Sequence, residues 1–301
     1  VAIAARIAKA VYPATDPATT PDTVILYPAD NWRAGLQAAS LVKPLNGLLL
    51  PDSVPADSLS PYSTATFLLM ANAAAPAGSS GQALSASDVV TRLTDAGAPP
   101  QHAILVDEND PANALLAAPW LAYSGDIVIF DKADAPEGVP IFALGAVTAT
   151  EGIKRVGGSD ASKTAVAFAK YEDSQTGLFG WGMNADSLTG YRAFTIAPAG
   201  DYATALLSAN LARRGRPGPL FWSQDRQIPQ VVNNYFFSQR AAFWVTPSEG
   251  PFHHFYILGD TDAISFPAQA QADYTVEIGP YFEKGFAAGP MDMLAAVWLV
   301  L

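Results

Sequence analysis

Three short polar runs hold the side chains best placed to do chemistry: Asp30-Asn31-Trp32-Arg33, Asp107-Glu108-Asn109-Asp110 and Gly200-Asp201-Tyr202. Each lies between an apolar run and a stretch rich in small residues. Together they offer carboxylates, amides, aromatic faces and the N–H groups of a helix start. Sugars suit that mixture, because hydroxyls need directional partners and a pyranose face stacks on an aromatic ring. The competing use is structural, since Asp and Asn at such places cap helices and shape turns. The candidate ligand-binding residues in these runs are Asp30, Asn31, Arg33, Asn109, Asp110, Asp201 and Tyr202.

Other chemistry has less support. Asp107 to Asp110 supplies hard oxygens for calcium, but without the Asp-x-Asp-x-Asp-Gly spacing or a distal bidentate Glu. The three histidines are His102, His253 and His254. Neighbours on an extended segment face opposite sides, so His253 and His254 do not converge on one metal. No Gly-x-Ser-x-Gly elbow accompanies them, and neither glycine-rich nucleotide loop occurs. Gly157-Gly158 follows Lys154 and Arg155 and precedes a helix containing Lys163. That basic set, with Lys154 and Arg155 as candidate ligands, suits a phosphate-bearing polymer and equally a solvated turn. The absence of cysteine excludes disulfides, thiolate zinc sites and cysteine nucleophiles. No metal or cofactor is expected.

The elements that must position these runs repeat. Val24-Ile25-Leu26-Tyr27, Ala103-Ile104-Leu105-Val106 and Ala193-Phe194-Thr195-Ile196 read as buried strands. Each leads through its polar turn into a helix carrying Leu36, Leu115 or Leu206, points separated by about 80 and about 90 residues. Further strands are expected at Gly47–Leu50, Ala65–Met70, Asp126–Phe130, Pro140–Gly145, Gly218–Trp222, Ala242–Val245, His254–Gly259 and Thr275–Ile278. Helices are expected at residues 1–12, from Trp32 to about Lys43, from Ser85, over about 112–122, at Ala161–Lys170, over 203–213 and over 229–236. Apolar strands that do not alternate, separated by helices, predict an α/β protein with mainly parallel sheets covered on both faces. Phe179, Trp181, Tyr235, Phe236 and Phe237 lie in or near loops, where they would cover a module interface or a partner surface.

The chain has 301 residues, 50% of them hydrophobic and 15% charged, with a net charge of −11. That supports a sizeable core and disfavours nucleic-acid binding, which needs a dominant basic surface. No run is long enough to span a membrane; Met293–Leu301 is apolar but about half the needed length. It reads as a strand or packed segment, with a truncated membrane helix as the alternative. The chain begins at Val1 rather than Met, which fits a processed or partial chain whose signal peptide lies outside it.

Ile153-Lys154-Arg155-Val156-Gly157-Gly158-Ser159-Asp160-Ala161-Ser162-Lys163-Thr164-Ala165-Val166-Ala167 resembles the opening of the cell-wall-binding repeat of type 2 in bacterial surface proteins. Phe255 to Ser265 is similar to that family's closing strand and glycine turn. Gly35-Leu36, Ala114-Leu115 and Ala205-Leu206 match its central helix. This chain departs from the pattern where the Asp common just before that pair is replaced by Ala34, Asn113 and Thr204; Asn113 and Thr204 are also candidate ligand-binding residues. The resemblance implies three α/β modules packed as an intramolecular pseudo-trimer, over 1–75, 84–150 and 151–278, the last with an inserted loop, followed by a tail over 279–301. It also implies noncatalytic attachment to cell-wall polysaccharide or envelope proteins, outside the cytoplasm, with higher-order assembly such as a surface layer. The alternatives are an accessory subunit of an envelope complex without glycan binding, and an α/β hydrolase.

Overall fold

The computed structural model describes residues 2–148, 151–184, 192–214, 217–224, 226–239 and 253–273. The chain is α/β, with three small sheets of parallel strands. Strands β1 (Thr23–Tyr27), β2 (Gly47–Pro51), β3 (Thr66–Met70) and β4 (Gln82–Leu84) form the first, in the order β2-β1-β3-β4. Strands β5 (Ala103–Leu105), β6 (Ile127–Ile129), β7 (Ile141–Leu144) and β8 (Lys154–Val156) repeat that order as β6-β5-β7-β8. The third sheet is β10-β9-β11, from β9 (Ala193–Pro198), β10 (Leu220–Ser223) and β11 (His254–Ile257). Every residue of β1 and β5 is buried, as unbroken apolar runs such as Val24-Ile25-Leu26 require.

Helices α1 (Ala2–Val11), α2 (Trp32–Ala39), α3 (Ala56–Leu59) and α4 (Asp88–Asp95) accompany the first sheet along the chain. The helix expected over 112–122 is instead α5 (Pro111–Ala114), a tight turn over Leu115–Ala117, and α6 (Ala118–Ser124). Pro119 has no N–H to continue a helix through that point, and it sits in the first turn of α6 instead. After α7 (Ala161–Lys170), the helix expected over 203–213 is also split, into α8 (Tyr202–Leu206) and α9 (Ser208–Arg214). There the Ser208 hydroxyl donates to the Ala205 carbonyl at 2.5 Å, a local bond that competes with the helical ladder. Helices α10 (Gln230–Ser238) and α11 (Phe266–Asp273) complete the set.

Patterning misses two strands. Gln82–Leu84 lies where no strand is expected, at the junction of the first two modules, and Lys154–Val156 in the segment expected to open the third repeat. Both are outer edge strands with two exposed residues out of three, so neither shows an apolar run. The helix expected to follow a cap at Ser85 is α4, which starts at Asp88 with Ser87 in the cap position, and Asp88 accepts both the Ser85 N–H at 2.8 Å and its hydroxyl at 2.6 Å. Those bonds hold the Asp88 carboxyl below its usual range. The strands expected at Ala242–Val245 and Thr275–Ile278, and the tail over 279–301, fall outside the described residues.

The modules join by one contact used three times. Helix α2 packs on β6, the turn after α5 packs on β10, and α9 packs on β2. Each central helix thus covers the edge strand of the next sheet, in a cycle. Leu36, Leu115 and Leu206 are fully buried, with α8 packing on α2 and on the Leu115–Ala117 turn, and each stabilises the assembly by about 1.5–3 kcal/mol of transfer free energy. Space is tight at Gly35, where a Cβ would lie 2.7 Å from Leu206 Cδ1 and 2.9 Å from Tyr27 Cδ2. Asn210 of α9 reaches the β2 edge, accepting the Leu49 N–H at 2.7 Å and donating to the Leu49 carbonyl at 2.8 Å.

Of the loop aromatics, Phe179 is core: it stacks on Phe142 at 3.9 Å and meets Phe168 at 5.8 Å. Trp181 packs edge-on to Trp120 at 5.1 Å, so the inserted loop is pinned to the second sheet. Tyr235 and Phe236 are also buried, against Phe194 and Phe221 of the third sheet. Phe237 is exposed.

Candidate functional site

The three polar runs stand at the carboxyl ends of β1, β5 and β9, where open parallel sheets usually bind ligands. Their first duty is capping. Asn31 Oδ1 accepts the Ala34 N–H at 3.1 Å, Asp110 Oδ1 that of Asn113 at 3.2 Å, and Asp201 Oδ1 that of Thr204 at 3.0 Å. In two corners the receiving residue answers with its side chain. Asn113 Nδ2 and Thr204 Oγ1 each donate to the second carboxylate oxygen at 2.6 Å. Asn31, Asp110, Asn113, Asp201 and Thr204 therefore build the corners from within, and Asn113 and Thr204 are buried. Asp30 and Asn109 are exposed, and Tyr202 is half-buried against Trp222.

The corners touch one another in a ring. From the first to the second, Arg33 Nη2 and Nε donate to the Glu108 carbonyl at 2.7 and 3.2 Å, with the Glu108 carboxylate 3.9 Å from Nε. Trp32 meets Phe130, at the end of β6, edge-on at 6.0 Å. From the second to the third, Trp222 Nε1 donates to the Ala112 carbonyl at 2.8 Å. From the third to the first, α8 packs on α2, with Leu206 against Gly35, and the charge of Asp201 acts on Tyr27, whose buried hydroxyl has no hydrogen-bond partner among the described residues. Burial pushes that phenol far above its ordinary range, and the charges of Asp201 and Asp52 add to the effect.

Within this ring an open cleft of about 490 Å³ lies at the carboxyl ends of the second sheet. Asp107, Glu108, Asn109, Phe130, Asp131 and Lys132 line it. Carboxylates, an amide, an ammonium and an apolar ring give it partners for hydroxyl groups. Asn109 is the one sequence candidate in the lining; Arg33 reaches it through Glu108. Phe130, Asp131 and Lys132 were not singled out in sequence, because they follow a strand that carries no repeated polar signature. Asp52 is a second omission. It accepts the N–H groups of Ala29 at 3.1 Å and Ala74 at 3.0 Å, tying together the loops that leave β1 and β3.

The basic candidates stand apart from the cleft. Lys154 donates to Asp173 at 2.5 Å and so anchors the inserted loop. The Lys154 hydrogen bond holds the Asp173 carboxyl down at about 2, and Asp173 raises Lys154 in turn. Arg155 is exposed on the β8 edge. The Gly157-Gly158 turn is closed from inside: Gly158 N–H donates to Thr164 Oγ1 at 3.1 Å, and that hydroxyl donates to the Gly158 carbonyl at 3.0 Å. Asp160 already caps α7 through the Lys163 N–H. At Gly157, with φ +84°, a Cβ would fall 2.5 Å from the Thr164 side chain, so only glycine fits.

Two histidines are packing residues. Asp126 accepts from the His102 backbone N–H at 2.9 Å and from Trp120 Nε1 at 2.8 Å, and His102 Nδ1 lies 3.2 Å away. His253 Nδ1 accepts the Arg192 N–H at 3.1 Å, which leaves Nε2–H to donate to the Gln239 carbonyl at 2.5 Å. Burial pushes His253 down to about 4, so it is neutral at pH 7.

No protein-family model matches the chain, and no curated protein matches it. Solved structures do. It is similar to Cwp8 from Clostridium difficile, with a TM-score of 0.63 at 14% identity over 91% of this chain and 50% of that one. It is likewise similar to Cwp6 from Clostridium difficile, with a TM-score of 0.65 at 12% identity over 91% of this chain and 46% of that one. The chain thus spans about half the length of each neighbour and shares its fold.

Proposed function

We propose that the protein is a noncatalytic cell-envelope attachment or assembly module that works outside the cytoplasm, with cell-wall polysaccharide as its ligand. The observation that carries this is the ring: three equivalent strand-end corners held edge to edge, one of them opening into a cleft lined for hydroxyl groups. A repeating polymer meets such a surface at several points at once. Two further supports are the fold shared with Cwp8 and Cwp6, which are cell-wall proteins, and the resemblance of the 153–167 segment to the cell-wall-binding repeat. We assign Asp30, Arg33, Asn109 and Tyr202 to ligand contact, and Asn31, Asp110, Asn113, Asp201 and Thr204 to shaping the corners. On a separate edge Arg155 is assigned to an anionic segment of the same polymer, while Lys154, the other basic candidate there, is held by Asp173.

The noncatalytic assignment is supported by how the polar groups are used. His102 directs its Nδ1 at Asp126, and both ring nitrogens of His253 are taken by Arg192 and Gln239. The test is co-sedimentation with purified cell-wall glycan at low salt, with the recovered glycan then analysed for cleavage. The protein is expected to pellet with intact glycan. A protein that stays in the supernatant, or one that shortens the glycan, contradicts the proposal.

A further inference from the structure

A second cavity, about 550 Å³, lies between α2, α4 and β6, and none of the residues assigned to ligand contact lines it. Gln37, Ser85, Ser87, Val89, Val90 and Ile127–Ile129 are among its lining. The volume falls within the usual range for small-molecule sites. Its floor is an edge strand, since β6 is the outermost member of its sheet. The Ile127 N–H donates to the His102 carbonyl, and the Val106 N–H donates to the Ile129 carbonyl. Alternation along a parallel strand therefore turns the N–H and C=O of Val128 outward, away from β5.

The same protein shows what such an edge binds. In the first sheet the register sets Ile25 opposite Leu49, and in the second it sets Ile104 opposite Val128. Leu49 is thus the counterpart of Val128. Its outward N–H and C=O are both taken by one primary carboxamide, that of Asn210, which lies four residues after Leu206. Four residues after Leu36, in the helix that covers β6, the chain has Ser40. Ser40 is fully buried, and its hydroxyl has no hydrogen-bond partner among the described residues. A serine is too short to offer a donor and an acceptor side by side. The joint that Asn210 closes in one module has Ser40 at the matching position in the next, and a cavity lined by Val128 and by Gln37 of α2 opens beside it.

We infer that this crevice is a binding site for a primary carboxamide carried by a short peptide, which pairs with the Val128 backbone as Asn210 pairs with Leu49. A primary amide presents N–H and C=O on the same edge, as the outward pair demands, whereas those of a single trans secondary amide point apart. A carboxylate would leave the Val128 carbonyl without a donor and would face Asp134 in the same lining. Val89, Val90 and Ile129 offer apolar contact to the rest of the ligand, and Ser87 and Gln37 offer hydroxyl and amide partners. The lining shares no residue with those assigned to glycan contact, so loss of glycan binding through those residues would leave the site in place.

Two probes that differ only in the recognised group test it: alanyl-D-isoglutamine and alanyl-D-glutamate, titrated into the full chain and followed by amide NMR. The isoglutamine probe should move the Val128 amide, and the glutamate probe should bind at least about tenfold more weakly. Ser40→Asn supplies the carboxamide from within and should abolish binding while raising the melting temperature. If that variant does not fold, Ser87→Trp, at an exposed rim position, should block binding in a folded protein. Equal binding of both probes, no shift at Val128 at millimolar isoglutamine probe, or unchanged binding by Ser40→Asn or Ser87→Trp overturns the assignment.

Discussion

Asp110 and Asp201 each hold a helix start with one carboxylate oxygen and a neighbouring side chain with the other. Replacing either by Ala removes both bonds. Each variant should lose about 1–2 kcal/mol, read from a shift in the urea midpoint, and Asp→Asn should restore part of it. An unchanged midpoint would mean that the corners are held by other contacts. His253 makes a prediction with pH. Its folded value of about 4 lies below the usual 6.5, so the unfolded chain takes up the proton first. Its contribution to stability is complete above about pH 6.5 and is lost as pH falls toward 4. His253→Gln should flatten the melting-temperature profile between those values; a profile as steep as that of the parent would contradict the assignment. These residues were legible to different degrees. Asn31, Asp110 and Asp201 stood out because caps draw on a short menu of side chains. Asp52 and the buried Tyr27 hydroxyl did not, since each is defined by chain segments distant in sequence.

At the scale of elements, most strands and helices could be read from their apolar runs, because a strand covered on both faces has no other choice of residue. Thr23–Tyr27 and Ala161–Lys170 fall as expected. The exceptions have separate causes. Edge strands β4 and β8 have one buried residue each, and pairing with β3 and β7 makes them strands. The broken central helices follow Pro119 in one case and the Ser208 hydroxyl in the other. The joints between elements are still less visible, because they pair residues up to 161 positions apart. Asn210 is the clearest. Asn210→Leu would fill similar space but leave the Leu49 N–H and C=O buried and unpaired, at roughly 1–3 kcal/mol for each group. We expect it to be among the most destabilising single changes at the helix–sheet joints. Thermal unfolding within a degree of the parent would show that this joint is not needed.

For the molecule as a whole, threefold use of one helix-on-edge contact fixes the arrangement and brings the corners together. Sequence periodicity showed the repeat, and the structure shows the ring it closes into. Within that ring the side chains assigned to ligand contact come from different modules, so a polymer held by all three benefits from high effective concentration after its first contact. Attachment should then fall more than additively as corners are removed. The most direct measurement is co-sedimentation with purified cell-wall glycan for Arg33→Ala, Asn109→Ala and Tyr202→Ala, singly and combined, with folding checked by circular dichroism. Each single variant should weaken attachment and the triple variant should abolish it, whereas a folded triple variant that pellets like the parent would contradict the ring as the attachment surface.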